Sequence, residues 1–511
     1  MHLSAVCAVC LALAACSSPP VPPVADAVAD AESDVQAPPA HEFPKGFLWG
    51  TAIAGFQVDM GCPTLPAVEC EDRQSDWYQW VSDKDLIADK TNFISGEPVS
   101  MGPGFWEMWP AHMDNAASDL HNNAIRYSLE WSRLFPDAAA GKAKTVGELK
   151  ALANPIAVKK YHDIFAGAKA RKLKLLITLN HYTLPLWLHN GKECNTDLEA
   201  CPNKGWADKN QILPAIALYS AYCAEEFGGE IDLWGTINEP FAIVVAGYLL
   251  PTKDRTNPPG QAFKVDVAIQ VAFNMMEAHA KMYDAVHEHD KMDADNDGIA
   301  ARVGIISNLA AVKPFDPASD KDKLAAQHAQ YVYNQVFLDA TIKGDLDRNL
   351  DGTAEEHRDD MKGRMDFVGI NYYTKLPVKS AIPIGGDTYK YLDFLPDSNL
   401  FANYPDGMYE VVKWAGQYNL PMIITENGTG DPKSTGFDNF VKPHLLALHK
   451  AIAEGAKVEG YFYWSLMDNY EWNHGVTEIK MGMFSVDPAT KKLNASGMSA
   501  AYAKLAQDNG F

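Results

Sequence analysis

The sequence predicts an α/β fold: one closed (β/α)8 TIM barrel with its active site at the C-terminal ends of the strands. Three observations predict it. Eight apolar, β-branched or aromatic runs follow one another along the chain. Stretches of helical periodicity separate them, such as AVKKYHDIFAGAKARK and NFVKPHLLALHKAIAEG, and strand–helix alternation implies a parallel sheet. Polar residues stand where the runs end, and in a closed eight-stranded barrel the strand C-termini form the catalytic face.

The first run is Phe47–Gln57, ending on Gln57. The second, Ala124–Trp131, leads to Arg133, and the third, Leu173–His181, ends on His181. The fourth, Ile231–Glu239, ends in Asn238-Glu239, where Pro240 biases Glu239 toward an extended backbone. The fifth, Val303–Leu309, carries Asn308 at its tip, and the sixth, Phe367–Tyr373, ends on Tyr373. The seventh, Met422–Glu426, stops before Asn427-Gly428, a turn signal. The eighth, Gly460–Ser465, runs on to Asp468. Any one such tip reads as an ordinary loop residue. Eight of them read as one site. No repeat and no second domain is visible, so residues 43–511 are expected to form one catalytic domain.

The bulk numbers fit a globular enzyme. The chain has 511 residues, 47% hydrophobic and 22% charged, enough for a large core. A net charge of −22 argues against a nucleic acid as partner.

The N-terminus reads differently. Its first fifteen residues, apolar for about a dozen and exiting through small residues, read as a signal peptide. Leu13-Ala14-Ala15-Cys16 resembles a bacterial lipobox, which implies cleavage before Cys16 and lipidation of its thiol. Residues 16–42 form a linker rich in Pro, Ala and acid, expected to be extended or disordered. The expected address is periplasmic, or anchored to the outer membrane of a Gram-negative-like cell through that lipid alone. An oxidising compartment lets Cys62 pair with Cys70 and Cys194 with Cys201, each closing a short loop. Cys223, in the helical pattern LYSAYCAEEFG, reads as a buried free thiol. The cysteine spacings are wrong for zinc.

Two acidic loops share a D-x-[DN]-x-D-G core that suits a hard cation such as calcium. One holds Asp293, Asp295 and Asp297; the other holds Asp347, Asn349 and Asp351, with Glu355 or Glu356 available to complete it. Each comes shortly before a strand, which predicts a structural place on the bottom face of the barrel.

The two glutamates carry the chemistry. A glycosidic bond breaks through an oxocarbenium-like state, which needs a proton on the leaving oxygen and negative charge beneath the anomeric carbon. One protonated and one ionised carboxyl supply both. Glu239 and Glu426 each stand beside an Asn at a strand end, on the fourth and seventh runs.

From FPKGFLWGTAIAGFQ at residue 43 to the end, the chain resembles the retaining β-glycosidases of glycoside hydrolase family 1. The motifs are IRYSLEWSRLFP, TLNHYTLPLWL, TINEP, DFVGINYYT, IITENG and GYFYWSLMDNYEW, in family order. The DMG at 59–61, DWYQWV at 76–81 and NHYTLPLWLH look most like the archaeal β-glucosidase/β-galactosidase branch.

The resemblance implies roles. Glu239 would be the general acid/base and Glu426 the nucleophile. Asn238 would bond the sugar 2-hydroxyl. Arg126 and Tyr373 would hold Glu426 ionised, since a cation and hydrogen bonds to the ionised form lower a carboxylate's pKa. A neighbouring anion, and no cation of its own, would raise that of Glu239. Gln57, His181, Glu471 and Trp472 would grip the sugar hydroxyls above Trp464, and Asn371 would lie near the aglycone side. The peptide Trp464–Ser465 would be cis.

Two departures concern the leaving-group side. Tyr182 stands where members often have Trp after the His, and Phe401 stands at an aglycone platform that is often Trp. Glu471 would repel a 6-phospho-sugar. The implied reaction is retaining hydrolysis of terminal β-D-glucosides, with β-D-galactosides and fucosides, needing no cofactor. The partner is a β-linked oligosaccharide or glycoside. Rival readings are a transglycosidase, a non-hydrolytic sugar-binding lipoprotein, and a metal-dependent hydrolase, the last lacking a His/Asp ligand set at the strand ends.

Overall fold

Eight parallel strands close into the expected barrel. They are β1 (Leu48–Ala52), β2 (Ala124–Ser128), β3 (Lys174–Asn180), β4 (Leu233–Asn238), β5 (Arg302–Asn308), β6 (Phe367–Asn371), β7 (Met422–Asn427) and β8 (Val458–Trp464), paired in that order with β8 returning to β1. This computed structural model describes residues 40–397, 402–431, 433 and 435–511. The expected signal peptide, Cys16, all but the end of the linker, and Phe401 therefore lie outside the described residues. Among the described residues, no helix is long and apolar enough to cross a membrane.

Alternation of side chains gives the barrel two cores. Inward-facing Leu176, Ile306, Phe367, Ile423 and Phe462 fill its interior. Outward-facing residues pack under the helices. Helix α1 (Pro155–Ala170) shows why these segments are helical. Asn154 caps it by accepting from the Ile156 N–H, Pro155 stands in its first turn, and Tyr161, Ile164, Phe165 and Ala168 form one buried stripe.

The strand ends are where the sequence reading needs correction. Gln57 belongs to a short helix after β1, Gly55–Asp59, and not to the strand. Glu239 is not extended: its backbone is left-handed, with φ 46° and ψ 62°. The chain must turn sharply there to start the helix Pro240–Val244, and that demand overrides the pre-proline bias. Both glutamate-bearing strands lose register around their carboxylates, β4 against β5 between Gly235 and Asn238, and β7 against β6 between Ile424 and Glu426 and against β8 between Ile424 and Asn427. Such irregularities re-aim side chains next to active sites. Beyond Glu426, a Cβ on Gly428 would lie 2.0 Å from the Trp464 carbonyl oxygen, so only glycine lets β7 end beneath β8.

Both expected disulfides are formed, Cys62–Cys70 and Cys194–Cys201, and Cys223 is a buried free thiol. The Trp464–Ser465 peptide is cis. A three-stranded sheet of Ala311–Pro314, Lys375–Ser380 and Phe394–Pro396 extends from the ends of β5 and β6 and was not expected.

The acidic loops fold alike but sit apart in the fold. Asp293 accepts from the N–H groups of Asp297 and Gly298, and Asp347 from those of Asp351 and Gly352. The first loop lies on the bottom face, where Asp232 accepts from the Ala294 N–H and Lys174 donates to Asp295. The second does not. Arg348 lies over the Phe273 ring, halfway along helix α2 (Val265–His289), and the Tyr391 N–H donates to the Leu350 carbonyl. The long segment before β6 climbs the flank of the barrel, so proximity to a strand start did not fix its height. Carboxylate oxygens converge at the first loop as Asp293 and Asp295 with Asp232, which precedes β4, and at the second as Asp347, Asp351 and Glu355. Asp297 instead accepts from the Ile299 N–H, and Asn349 keeps a buried Oδ1 with no partner among the described residues.

Candidate active site

Glu426 lies at the mouth of the barrel, 3% exposed. Arg126, from β2, places Nη1 2.5 Å from Glu426 Oε1 and donates through Nη2 to Asn238 Oδ1 at 2.7 Å. The Tyr373 hydroxyl donates to Glu426 Oε2 at 2.5 Å. Burial raises the Tyr373 phenol far above its ordinary range, so it stays a donor. Burial also lifts the Glu426 carboxyl from 4.5 to about 7, with a contribution from Glu239, against the lowering by Arg126 and Tyr373. Arg126 and Tyr373, expected to hold this carboxyl ionised, both lower it, and taking it out of water outweighs them.

Glu239 faces a different environment. Its Oε1 accepts from Asn371 Nδ2 at 2.8 Å and its Oε2 from the Tyr182 hydroxyl, both neutral donors. Asn371 also donates to Asn238 Oδ1 at 3.1 Å and accepts from Thr425 Oγ1 at 2.7 Å. One hydrogen-bonded net thus ties the ends of β2, β4, β6 and β7 around the two carboxyls.

A second group of polar atoms lies beside them. Asn238 Nδ2 donates to His181 Nε2 at 3.1 Å. Burial, with Arg126 and Arg255, pushes the His181 pKa well below 6.5, so the ring is neutral and its proton is on Nδ1. Gln57 Nε2 donates to Glu471 Oε2 at 2.8 Å, which leaves Gln57 Oε1 free as an acceptor. His181 Nδ1 and Gln57 Oε1 are both buried with no partner among the described residues. One donor and one acceptor left open match a hydroxyl, which needs both. Trp464 stacks on His181 at 5.8 Å, and Trp472 stacks on its ring at the same separation. Tyr182, Glu239 and Trp472 all have left-handed backbones, with φ of 73°, 46° and 47°. Such conformations cluster at functional sites because they aim side chains.

The structure thus gathers all the expected sugar-site residues except Phe401, which is not described. Arg133 is the misread tip. Its guanidinium is 3.3 Å from Asp59, donates to the Cys70 carbonyl and lies over the Trp106 ring, behind the site and not in it. Asp59 is buried with it, and burial raises that carboxyl from 3.8 to about 7. Arg255 was missed. It donates to Glu471 at 3.0 Å, keeps a buried Nη1 unpartnered among the described residues, and lines the same cavity. It lies in an unpatterned loop between Leu250 and Val265, where the sequence carries no signal for it.

A match to the glycosyl hydrolase family 1 model spans residues 40–511. The chain belongs to glycosyl hydrolase family 1. It is 32% identical to a β-galactosidase of Pyrococcus woesei, over 88% of this chain and 94% of the relative. It is 33% identical to a β-galactosidase of Saccharolobus solfataricus, over 92% and 96%. Among solved structures it resembles the β-glycosidase of the hyperthermophile Thermosphaera aggregans, at 29% identity and TM-score 0.78, covering 92% of this chain and 98% of that one. The archaeal resemblance read from its motifs stands. This family 1 enzyme is a β-glycosidase on a (β/α)8 barrel.

Proposed function

We propose that the enzyme is a retaining exo-β-glycosidase acting on terminal β-D-glucosides and β-D-galactosides, with Glu426 as nucleophile and Glu239 as general acid/base. The asymmetry of their partners carries this reading. Arg126 can only donate, so the Glu426 oxygen facing it is unprotonated. Glu239 accepts only from the neutral donors Asn371 and Tyr182, and in this reading it is the group that passes a proton to the leaving oxygen. Glu426 attacks the anomeric carbon while Glu239 protonates the leaving oxygen. Water, deprotonated by Glu239, then cleaves the glycosyl–Glu426 ester and releases the sugar with its β configuration. Asn238, oriented by Arg126 and Asn371, bonds the 2-hydroxyl. His181 Nδ1 and Gln57 Oε1 take an equatorial hydroxyl, and Glu471, neutralised by Arg255, another.

Proton NMR of fresh digests tests the stereochemistry: the β-anomer should appear first, and an α-anomer first would overturn the reading. Glu426→Ala should lose turnover and regain it with azide as the α-glycosyl azide. Glu239→Ala should spare dinitrophenyl glycosides, whose leaving groups need little protonation, and give the β-azide. We further infer export and lipidation at Cys16 from the lipobox-like stretch. Labelling with a fatty-acid probe in a bacterial host, lost in Cys16→Ser, tests it.

A further inference from the structure

The active-site cavity does not stop at the two glutamates. It encloses about 350 Å³, and its lining changes character on passing Glu239. Charged residues of the lining lie on one side. There Arg255 pairs with Glu471, and the Asp254 carbonyl accepts from His474. On the other side, Val245 and Leu249 descend the π-helical turn Val245–Leu249, Ile269 and Phe273 face them from α2, and Leu376 and Phe394 of the extra sheet close the third wall. Polar members of this half are Asn308, Tyr333 and Thr374, and Asn308 Nδ2 donates to the Tyr333 hydroxyl at 2.6 Å. The mouth is apolar too. Phe263, Ile384 and Leu395 line it and are 66%, 37% and 51% exposed.

We propose that this half of the cavity holds a long aliphatic aglycone, so that the preferred substrate is an amphiphilic alkyl or prenyl β-glycoside. The inference rests on the glycosidase reading above and deepens it. The leaving-group oxygen must lie at Glu239, which is the junction of the two halves. Whatever it carries is therefore directed between the π-helical turn, α2 and the extra sheet. A second sugar there would lose water from its hydroxyls and meet only Asn308, Tyr333 and Thr374 as polar groups, fewer than its hydroxyls need, which costs about 1–3 kcal/mol for each group left unpaired. An aliphatic chain meets no such penalty and gains from burial. The exposed apolar rim fits the same class, since contiguous exposed apolar surface marks a place where apolar ligands enter.

The test is a series of ethyl, hexyl, octyl and decyl β-D-glucosides, below their micellar concentrations, beside cellobiose. We expect kcat/KM to rise about two- to fourfold per methylene until the cavity is full. Decyl glucoside should exceed cellobiose. Val245→Asn should lower the decyl-to-ethyl ratio at least about tenfold, the loss expected for hydrating part of the buried chain. If that variant fails to fold, Leu395→Ser, at an exposed site, should lower the ratio in the same sense. A flat series, or cellobiose cleaved faster than decyl glucoside, overturns the proposal. Alkyl β-thioglucosides, which resist cleavage, separate its failure from that of the glycosidase reading. Their calorimetric affinity should climb with chain length, with a negative heat-capacity change, even if no glycoside turns over; affinity independent of length overturns it. Comparing decyl glucoside in solution with the same glycoside in phosphatidylcholine vesicles distinguishes a free amphiphile from a bilayer glycolipid. Faster turnover in either medium than with ethyl glucoside supports the aliphatic class; slower turnover in both opposes it.

Discussion

Arg126 Nη1 and Glu426 Oε1 lie 2.5 Å apart, with both side chains almost wholly buried. Removing one member of such a pair leaves an uncompensated charge out of water, which typically costs about 3–5 kcal/mol. Arg126→Met should therefore lower Tm and reduce kcat by at least about a hundredfold, as for loss of an oriented charge partner. Arg126→Met with Glu426→Gln should recover much of the Tm and none of the activity. Thermal melts and single-turnover kinetics check both.

The Glu426 carboxyl predicts the pH profile. Burial lifts it from 4.5 to about 7, with a contribution from the neighbouring Glu239. The nucleophile must be ionised to attack, so kcat/KM should fall as pH drops through about 7. Glu239→Gln removes the neighbouring anion and, assayed with dinitrophenyl glucoside, should move that acid fall to lower pH. An unmoved fall in the variant would mean another group sets it.

Asp59 makes a separate prediction about stability. Its carboxyl is lifted from 3.8 to about 7 by burial, so the folded state holds a proton that the unfolded chain releases. That contribution is full below about pH 4 and is lost as pH rises through 7. Asp59→Asn should flatten this part of the Tm-versus-pH curve. An unchanged slope between pH 4 and 7 would remove the assignment.

Gly428→Ala tests the close passage at the end of β7. A Cβ at 2.0 Å from the Trp464 carbonyl oxygen forces backbone to move. Overpacking of this kind costs about 1–3 kcal/mol, and here the strain falls one residue beyond Asn427, so kcat should drop together with Tm.

The acidic loops predict a calcium effect on stability alone. In the second, the carboxylates of Asp347, Asp351 and Glu355 converge and Asn349 Oδ1 lacks a partner among the described residues. Calcium should raise Tm and EDTA lower it, with kcat at moderate temperature unchanged. Asp347→Asn should abolish the response. In the first, Lys174 lies 2.8 Å from Asp295, closer than Lys390 to Asp351 at 3.7 Å in the second, so Asp295→Asn should matter less.

Much of this was legible in the sequence. The eight strands announced themselves because a barrel strand is buried on both faces and reads as a continuous apolar run. Most of the polar tips then pointed to the candidate site. What was illegible has common physical causes. Arg133 looks like the other tips, but its fate depends on Asp59, distant in sequence. The left-handed turn at Glu239 follows from how β4 must meet the next helix, against the local bias of Pro240. Arg255 lies in a loop, and the apolar half of the cavity is assembled from the π-helical turn, α2 and the unpredicted sheet. Their residues meet only in three dimensions, with no periodicity to betray them.

The central claim is that Glu426 forms a covalent bond to the sugar. The direct measurement is trapping with dinitrophenyl 2-deoxy-2-fluoro-β-D-glucoside, followed by peptide mass spectrometry. The 2-fluorine slows both steps, and the good leaving group lets the first proceed, so the glycosyl-enzyme accumulates. The account predicts stoichiometric burst release of dinitrophenolate and one fluoroglucosyl adduct on the peptide containing Glu426, with reactivation on adding an acceptor sugar. An adduct on Glu239, or hydrolysis with no trapped intermediate, would contradict it.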